Sequence, residues 1–240
     1  IRLNRLRQLR SSASAIADRA FLQGVFGAHP YGHTTLGTVD AIENLRVTDV
    51  RAFHAARVHP RGATCIVAGD LDAGRVHDIV SAHAGRWPGG GVVTPADVAR
   101  PLPMTAKVLI VDRPGSPQTE VRVGHLGPSR DVDGYHALVT LNAIVGGQFT
   151  SRINQNLREA RGLTYGAHTA FDFRLRGGAF ECDTAVQSDA TPLVVREILG
   201  ELAAIGAARP AEGEELERAK SSLTRGYVRH FETSAQLALG

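Results

Sequence analysis

The chain has 240 residues, of which 43% are hydrophobic and 21% are charged, and its formal net charge is +3. This composition is typical of a globular protein with one large domain or two smaller domains. No apolar run approaches the ~18 residues that a membrane-spanning helix needs, and no recognisable targeting leader begins the sequence. We therefore expect no membrane association.

The small basic excess does not favour nucleic-acid binding. Much of it lies near the start of the chain, where Leu3, Leu6 and Leu9 recur between the arginines Arg2, Arg5, Arg7 and Arg10. No aromatic residues are interleaved with these charges, as they are in many nucleic-acid-binding segments. An amphipathic helix with a solvated basic face explains the pattern more simply.

The two cysteines, Cys65 and Cys182, are far apart and form no C-x-x-C pair. Each lies in an apolar, strand-like run, where a buried free thiol is the usual state. A single long-range disulfide is an alternative that the sequence leaves open. The redox compartment and the localisation of the protein are therefore undecided.

The first part of the chain is predicted to be mostly helical. Apolar residues recur with a helical period over residues 1–26, after which Pro30, Gly32 and Gly37 indicate a loop. Residues 63–68 form a compact apolar run that predicts a strand. Two shorter helices are predicted on either side of that strand, with Thr48 and Asp72 as their N-caps.

A change of composition at residues 88–103 predicts a connector between two domains. This segment contains three successive glycines, Gly89 to Gly91, and several prolines, which favour a flexible, extended chain. We therefore assign residues 1–87 to a first domain and residues 104–240 to a second.

The second domain is predicted to place strands and helices in adjacent pairs. Strands are expected at residues 107–112, 119–126, 163–173 and 179–187, the last two joined by a turn at residues 176–178. Helices are expected from Asp133 to Ile144, from Thr150 or Ser151 to a left-handed Gly162, over residues 191–205 and over residues 214–231. This arrangement indicates an α+β fold rather than a doubly wound parallel sheet.

The ten histidines do not have the spacing of a zinc site. A helical zinc pair has two histidines four residues apart with a glutamate nearby, as in H-E-x-x-H or its inverse H-x-x-E-H. His29 and His33 have that separation, but Pro30 and Gly32 lie between them and no glutamate does. We expect surface or loop histidines and no metal site. The sequence also lacks a G-x-S-x-G elbow, a thiol-protease signature and a phosphate-binding loop.

Four blocks of sequence together resemble the insulinase/pitrilysin family of zinc peptidases, which includes the mitochondrial processing peptidases. The main block is GGQFTSRINQNLREARGLTYGAHTAFDFRLRGG at residues 146–178. The others are HPYGHTTLGTVDAIENL at residues 29–45, VAGDLD at residues 67–72 and VDRPGSPQTEVRVGH at residues 111–125. The blocks follow the family order and extend over nearly the whole chain.

The resemblance implies repeated α+β units, each a sheet covered by helices, that enclose a peptide substrate between them. In that case residues 1–87 are the back half of a first unit and residues 104–240 are most of a second. Family members usually continue past the last helix, so the chain is expected to be an excised domain or a processed fragment. Active members hold zinc through H-x-x-E-H and a distal glutamate. Here the motif is absent, and the helix similar to the one that carries the glutamate begins IRLNRLRQLR, without an acidic residue.

The resemblance assigns a substrate-binding role to Arg158 and Tyr165. Family members have L-R followed seven residues later by Tyr, and these side chains meet the substrate across the cleft. Leu157, Arg158 and Tyr165 have that spacing. A guanidinium can hold a peptide carbonyl and a phenol can donate to it. The sequence predicts no catalytic residue in this chain.

Local patterns allow a structural alternative for each of these residues. Tyr165 has the strand parity of Thr169 and Phe171, which suits a core-facing aromatic residue. Arg158 would then be a solvated helix residue. Arg152 is expected to be structural, and His29, Tyr31 and Gly32 are expected to form a turn, with glycine supplying an unusual torsion.

The first functional hypothesis is a non-catalytic, substrate-binding portion or subunit of a zinc endopeptidase. It is inactive alone and pairs, as a dimer or in tandem, with a zinc-bearing unit. The second is a fragment of a complete zinc endopeptidase whose metal site lies upstream. The third is a scaffold subunit of a larger assembly. Under the first two, zinc belongs to the complete or partner enzyme.

Overall fold

The computed structural model describes residues 1–61, 63–87, 98–103 and 105–239. The chain divides into two compact units. The sheet unit comprises residues 1–39 and 98–221, and the helical unit comprises residues 40–97 and 222–240. Most of the predicted connector, residues 88–97, lies outside the described residues. The assignment of residues 1–87 and 104–240 to repeated peptidase units stays a prediction.

The sheet unit contains Arg158 and Tyr165, the candidate substrate-binding residues. In chain order its elements are α1 (Arg2–Leu9), α2 (Ala13–Phe26), β1 (Gln118–Gly127), α6 (Tyr135–Asn142), α7 (Arg152–Asn154), β2 (Ala167–Asp172), β3 (Gly178–Gln187), α8 (Thr191–Ile205) and the first part of α9 (Gly213–Tyr227). Two π-helical segments, Ala143–Gly147 and Gln155–Ala160, directly continue α6 and α7. Such segments are rare and are often found at functional sites.

The three described strands form an antiparallel sheet in the order β1-β3-β2. β2 and β3 form the predicted hairpin, and Gly177 in its turn has a φ of 118°. The register places Val121 opposite Thr184 and Thr169 opposite Cys182, so alternate residues of all three strands share one buried face. The predicted α+β class is confirmed.

The hydrophobic core lies between that buried face and the helices packed on it. This core contains residues from both π-helical segments, from α7, from α8 and from the strands, namely Val121, Val145, Ile153, Leu157, Ala167, Cys182, Val186, Val194 and Ile198. Core residues recur four apart in α7 with its continuation and in α8, which places them on one helix face, and Cys182 and Val186 are an even number of residues apart and so share one face of β3. Cys182 is a buried free thiol, as predicted, and burial raises its pKa to about 12.

Helix α2 packs on the opposite face of the sheet. A side chain at Gly124 would come within 2.8 Å of the Phe21 ring and within 2.1 Å of the Phe180 carbonyl oxygen, so β1 needs glycine there. The single helix predicted over residues 1–26 is in fact two. Residues 10–12 interrupt it, and the Ser12 hydroxyl accepts a hydrogen bond from the Ala15 N–H at the start of α2. Serine favours such a cap over the interior of a helix.

The helical unit contains α3 (Val39–Asn44), α4 (Val47–Arg57), α5 (Ala73–Ala84), the end of α9 and α10 (Ser234–Leu239). Asp72 caps α5 through the Arg75 N–H at 2.7 Å, as predicted. Thr48 is not a cap but lies inside α4, whose N-cap position is Arg46. No helix among the described residues has the length and apolar character needed to cross a membrane.

Two predicted strands, residues 63–68 and 107–112, are not strands among the described residues. Their apolar side chains are exposed, including Ile66 and Ile110, and Cys65 is exposed rather than buried. An apolar run indicates β-propensity, but a strand also needs a hydrogen-bonding neighbour. The described part of the chain places no strand beside either segment, and this explains the difference.

Replacement of Ile198 by alanine should destabilise the sheet unit much more than the same change at the next residue. Ile198 is 0% exposed and belongs to the core, whereas Leu199 is 51% exposed on the same helix. We expect a loss of about 2–5 kcal/mol for Ile198→Ala and of about 1 kcal/mol or less for Leu199→Ala. Urea unfolding followed by circular dichroism measures both. Equal losses would contradict the position of the core.

Candidate functional site

Arg158 lies in the π-helical segment that continues α7. The neighbouring side chain of Leu157 is 1% exposed and anchors the segment in the core. Gly162 ends the segment with a φ of 63° and donates its N–H to the Arg158 carbonyl oxygen at 3.1 Å. The prediction of a left-handed glycine at this position is confirmed, and it reverses the chain toward Tyr165.

The Arg158 guanidinium stacks on an aromatic ring. Its central carbon lies 3.9 Å from the centroid of the Phe149 ring, and the Phe149 residue is itself 64% exposed. The Arg158 Nη1 atom is buried and lies 3.4 Å from a Glu159 carboxylate oxygen, without hydrogen-bond geometry to an acceptor among the described residues. The side chain as a whole is 31% exposed. The guanidinium is thus oriented by stacking and retains unused donor capacity.

Tyr165 lies in the turn before β2 and is 94% exposed. The hydroxyl of Thr164, the preceding residue, hydrogen-bonds within the turn to Gly166 and across to the Ala185 carbonyl oxygen at 2.9 Å. It also lies 2.9 Å from the Thr184 hydroxyl in β3. The alternative that Tyr165 is a core aromatic residue is wrong, because β2 begins at Ala167 rather than at residue 163.

Arg152 has the structural role that the sequence predicts. Its guanidinium pairs with the Glu215 carboxylate and donates to the backbone carbonyl oxygens of Arg209 at 2.5 Å and Pro210 at 3.0 Å. These contacts tie the start of α7 to the loop before α9 and to α9 itself. The Glu215 hydrogen bond raises the pKa of Arg152, and the same bond lowers the pKa of Glu215.

His29, Tyr31 and Gly32 form a turn, as predicted. The His29 Nδ1 atom accepts the Tyr31 N–H at 3.1 Å, and the two rings pack with centroids 4.7 Å apart. Gly32 is needed for space rather than for an unusual torsion. A Cβ at this position would lie 2.5 Å from the Gly27 carbonyl oxygen.

The described residues do not suit a zinc ion. No cluster of three or more histidine, cysteine, aspartate or glutamate side chains with metal-binding geometry occurs among them. His29, the first member of the one histidine pair with suitable spacing, instead contacts the Tyr31 N–H and the Ala99 carbonyl oxygen.

A second charged cluster, which the sequence analysis did not identify, lies between α2 and the sheet. The Arg122 side chain is 8% exposed and contacts the carboxylates of Asp18 at 2.8 Å, Glu120 at 3.1 Å and Glu181 at 3.2 Å. Burial raises the pKa of Glu181 to about 7, although the Arg122 charge opposes this shift. The alternation of side chains along the strands could have predicted this cluster. Glu120 and Arg122 share one face of β1, and Glu181 lies on the same face of β3.

The comparisons with known proteins agree with this fold. The profile of the family described as the peptidase M16 inactive domain matches residues 44–223. The chain therefore belongs to the peptidase M16 inactive domain family. This finding confirms the resemblance to the insulinase/pitrilysin peptidases.

A curated relative, an uncharacterized zinc protease of Mycobacterium leprae, is 29% identical over 219 residues, which are 89% of this chain and 48% of the relative. Among solved structures, a peptidase M16 inactive domain from Pseudomonas fluorescens has a TM-score of 0.81 and 24% identity over 93% of this chain and 53% of that chain. A Helicobacter pylori protease has a TM-score of 0.84 and 20% identity, with coverages of 93% and 55%. These two similarities establish the fold alone. The chain spans about half the length of the relatives that it matches.

The stability of the sheet unit should decrease as Glu181 ionises. The folded protein raises the pKa of this carboxyl from its ordinary 4.5 to about 7, so the folded state binds the proton more tightly. The resulting stabilisation is complete below pH 4.5 and is lost as the pH rises through about 7. Glu181→Gln removes the titration and should flatten this part of the pH dependence.

Urea midpoints at about pH 5 and about pH 8 measure the effect, since most of the expected change lies between these values. Glu214→Gln, a change at an exposed glutamate in α9, is the matched control and should follow the wild-type pH profile. A Glu181→Gln profile as steep as that of the wild type would exclude Glu181 as the source.

Proposed function

We propose that this chain is the non-catalytic, substrate-binding portion of a zinc-dependent M16 endopeptidase, in which Arg158 and Tyr165 hold the backbone of a peptide substrate. The observation that carries the proposal is the 94% exposure of Tyr165 on a turn fixed by the Thr164 hydroxyl. A large aromatic side chain presented on a rigid turn is suited to recognition, since little conformational entropy is lost on binding.

The chemistry of the two side chains suits a peptide backbone. The guanidinium of Arg158 donates hydrogen bonds in a plane, and the Phe149 ring 3.9 Å away supports its orientation. The Tyr165 phenol can donate to a carbonyl oxygen. In a complete enzyme, a donor directed at the scissile carbonyl would stabilise the negative charge that develops on its oxygen during hydrolysis.

Under this proposal the zinc belongs to another unit. The zinc-bearing unit is either a separate subunit or another region of the same natural chain, and the peptide is bound between that unit and this one. The family match to an inactive domain and the names of the curated relatives as zinc proteases support such a pairing. This chain alone is then expected to bind peptide without hydrolysing it.

The zinc content of the natural full-length protein distinguishes the two arrangements. About one tightly bound zinc per chain is expected if the peptidase is complete, because a catalytic site holds a single zinc through three protein ligands. A zinc-free natural protein that supports hydrolysis only after a second, zinc-bearing subunit is added would indicate a non-catalytic subunit.

Replacement of Arg158 should weaken peptide binding more than removal of the Tyr165 hydroxyl. We expect Arg158→Ala to raise the Kd about tenfold or more and Tyr165→Phe to raise it about threefold, because hydrogen bonds from charged groups contribute more than neutral ones. Fluorescence anisotropy of a fluorescein-labelled β-casein peptide, an unstructured probe, measures both effects on the full chain.

Two matched variants control for nonspecific effects of these changes. Arg218→Ala removes an exposed arginine whose ion pair is with Glu214, and Tyr227→Phe removes the hydroxyl of another exposed tyrosine. Both should bind the probe like the wild type. Peptide binding that is insensitive to Arg158→Ala would contradict the proposed site, and absence of peptide binding by the wild-type chain would favour the scaffold alternative.

A further inference from the structure

Asn154 is a buried polar residue between the two elements that carry Arg158 and Tyr165. It is the last residue of α7, one turn before Arg158, and it is 5% exposed. Burial of an amide destabilises the folded protein unless its donors and acceptor are hydrogen-bonded. The hydrogen-bond partners of the Asn154 side chain therefore indicate its role.

On one side, Asn154 holds the first strand residue after the Tyr165 turn. Its amide nitrogen donates to the Ala167 carbonyl oxygen at 2.8 Å, and its amide oxygen accepts the Ala167 N–H at 2.9 Å. This reciprocal pair imitates the contact that a neighbouring strand would make. The backbone two residues after Tyr165 is therefore attached to the helix that carries Arg158.

On the other side, Asn154 contacts the loop that carries Phe149. Its amide nitrogen lies 3.2 Å from the Gln148 carbonyl oxygen and 3.1 Å from the Ser151 hydroxyl. The loop is also closed by the Ser151 N–H, which donates to the Gln148 carbonyl oxygen at 3.1 Å. One side chain thus connects the Phe149 loop, the Arg158 helix and the Tyr165 turn.

We propose that Asn154 is the positioning residue of the peptide site. It fixes the positions of the Tyr165 turn and the Phe149 loop relative to Arg158. This inference rests on the proposed function of Arg158 and Tyr165. Asn154 itself does not contact the peptide and acts through the backbone at residues 148–151 and 167. Its loss lets the turn and the loop move independently, so the phenol and the stacked guanidinium no longer reach one peptide in a single arrangement.

Asn142 provides a matched control with the same chemistry at a different place. Its amide nitrogen donates to the Thr169 carbonyl oxygen at 2.9 Å, and its amide oxygen accepts from the Thr169 hydroxyl at 2.8 Å. It therefore also ties a helix to β2, but at a residue farther along the strand, and both of its side-chain hydrogen bonds among the described residues go to Thr169 rather than to the Phe149 loop. A purely structural effect of losing an asparagine should be similar at both positions.

The test compares Asn154→Ala and Asn142→Ala in the full chain, by anisotropy with the same labelled β-casein peptide and by thermal unfolding. Asn154→Ala should raise the Kd about tenfold, whereas Asn142→Ala should change it less than about twofold. Should Asn154→Ala fail to fold, Asn154→Ser is used, because its hydroxyl keeps a donor near the Ala167 carbonyl oxygen.

Combination with Arg158→Ala and Tyr165→Phe shows how the effect arises. If Asn154 acts through these two side chains, its replacement should raise the Kd by less than about twofold once both are already removed. The inference would be overturned if Asn154→Ala raised the Kd equally with and without the other two substitutions. It would also be overturned if Asn154→Ala raised the Kd no more than Asn142→Ala. In both cases the proposed function stands. If Arg158→Ala and Tyr165→Phe themselves leave binding unchanged, the proposed function fails instead.

Discussion

The candidate site depends on the packing of α7 and its π-helical continuation against the buried face of the sheet. Ile153 and Leu157 belong to the core that this face forms with α8, and both are almost completely inaccessible to solvent. Because Leu157 is held in the core, the following residue, Arg158, is directed away from it. The apolar contact therefore determines where the guanidinium lies, although it supplies none of the binding chemistry.

Buried hydrogen bonds add directional contacts to those of the apolar core. Hydrophobic contacts are not directional and tolerate small shifts, whereas buried hydrogen bonds require specific geometry. The hydroxyl of Thr164 and the amide of Asn154 provide that geometry on the two sides of Tyr165. These contacts hold the backbone on both sides of Tyr165, whose side chain is exposed.

The two faces of the sheet carry different kinds of contact. One face holds the apolar core, and the other holds Arg122 among carboxylates beneath α2. Burial of the Glu181 carboxyl raises its pKa to about 7 against the opposing charge of Arg122, so we expect the stability contributed on this face to fall as Glu181 ionises.

The sequence by itself determined the α+β class and the order of most elements in residues 118–205, because turns, caps and apolar periodicity are local signals. It predicted the left-handed Gly162 in the same way. The blocks that resemble the insulinase/pitrilysin peptidases indicated the family and made Arg158 and Tyr165 candidates for substrate binding. The tertiary structure decided which of these side chains are exposed. It showed that Tyr165 lies before β2 rather than in the core and that residues 63–68 and 107–112 have no strand partner in the described part of the chain. It also revealed the contacts of Asn154 and the cluster around Arg122. Burial and strand pairing arise from residues far apart in the chain, so no local pattern contains them.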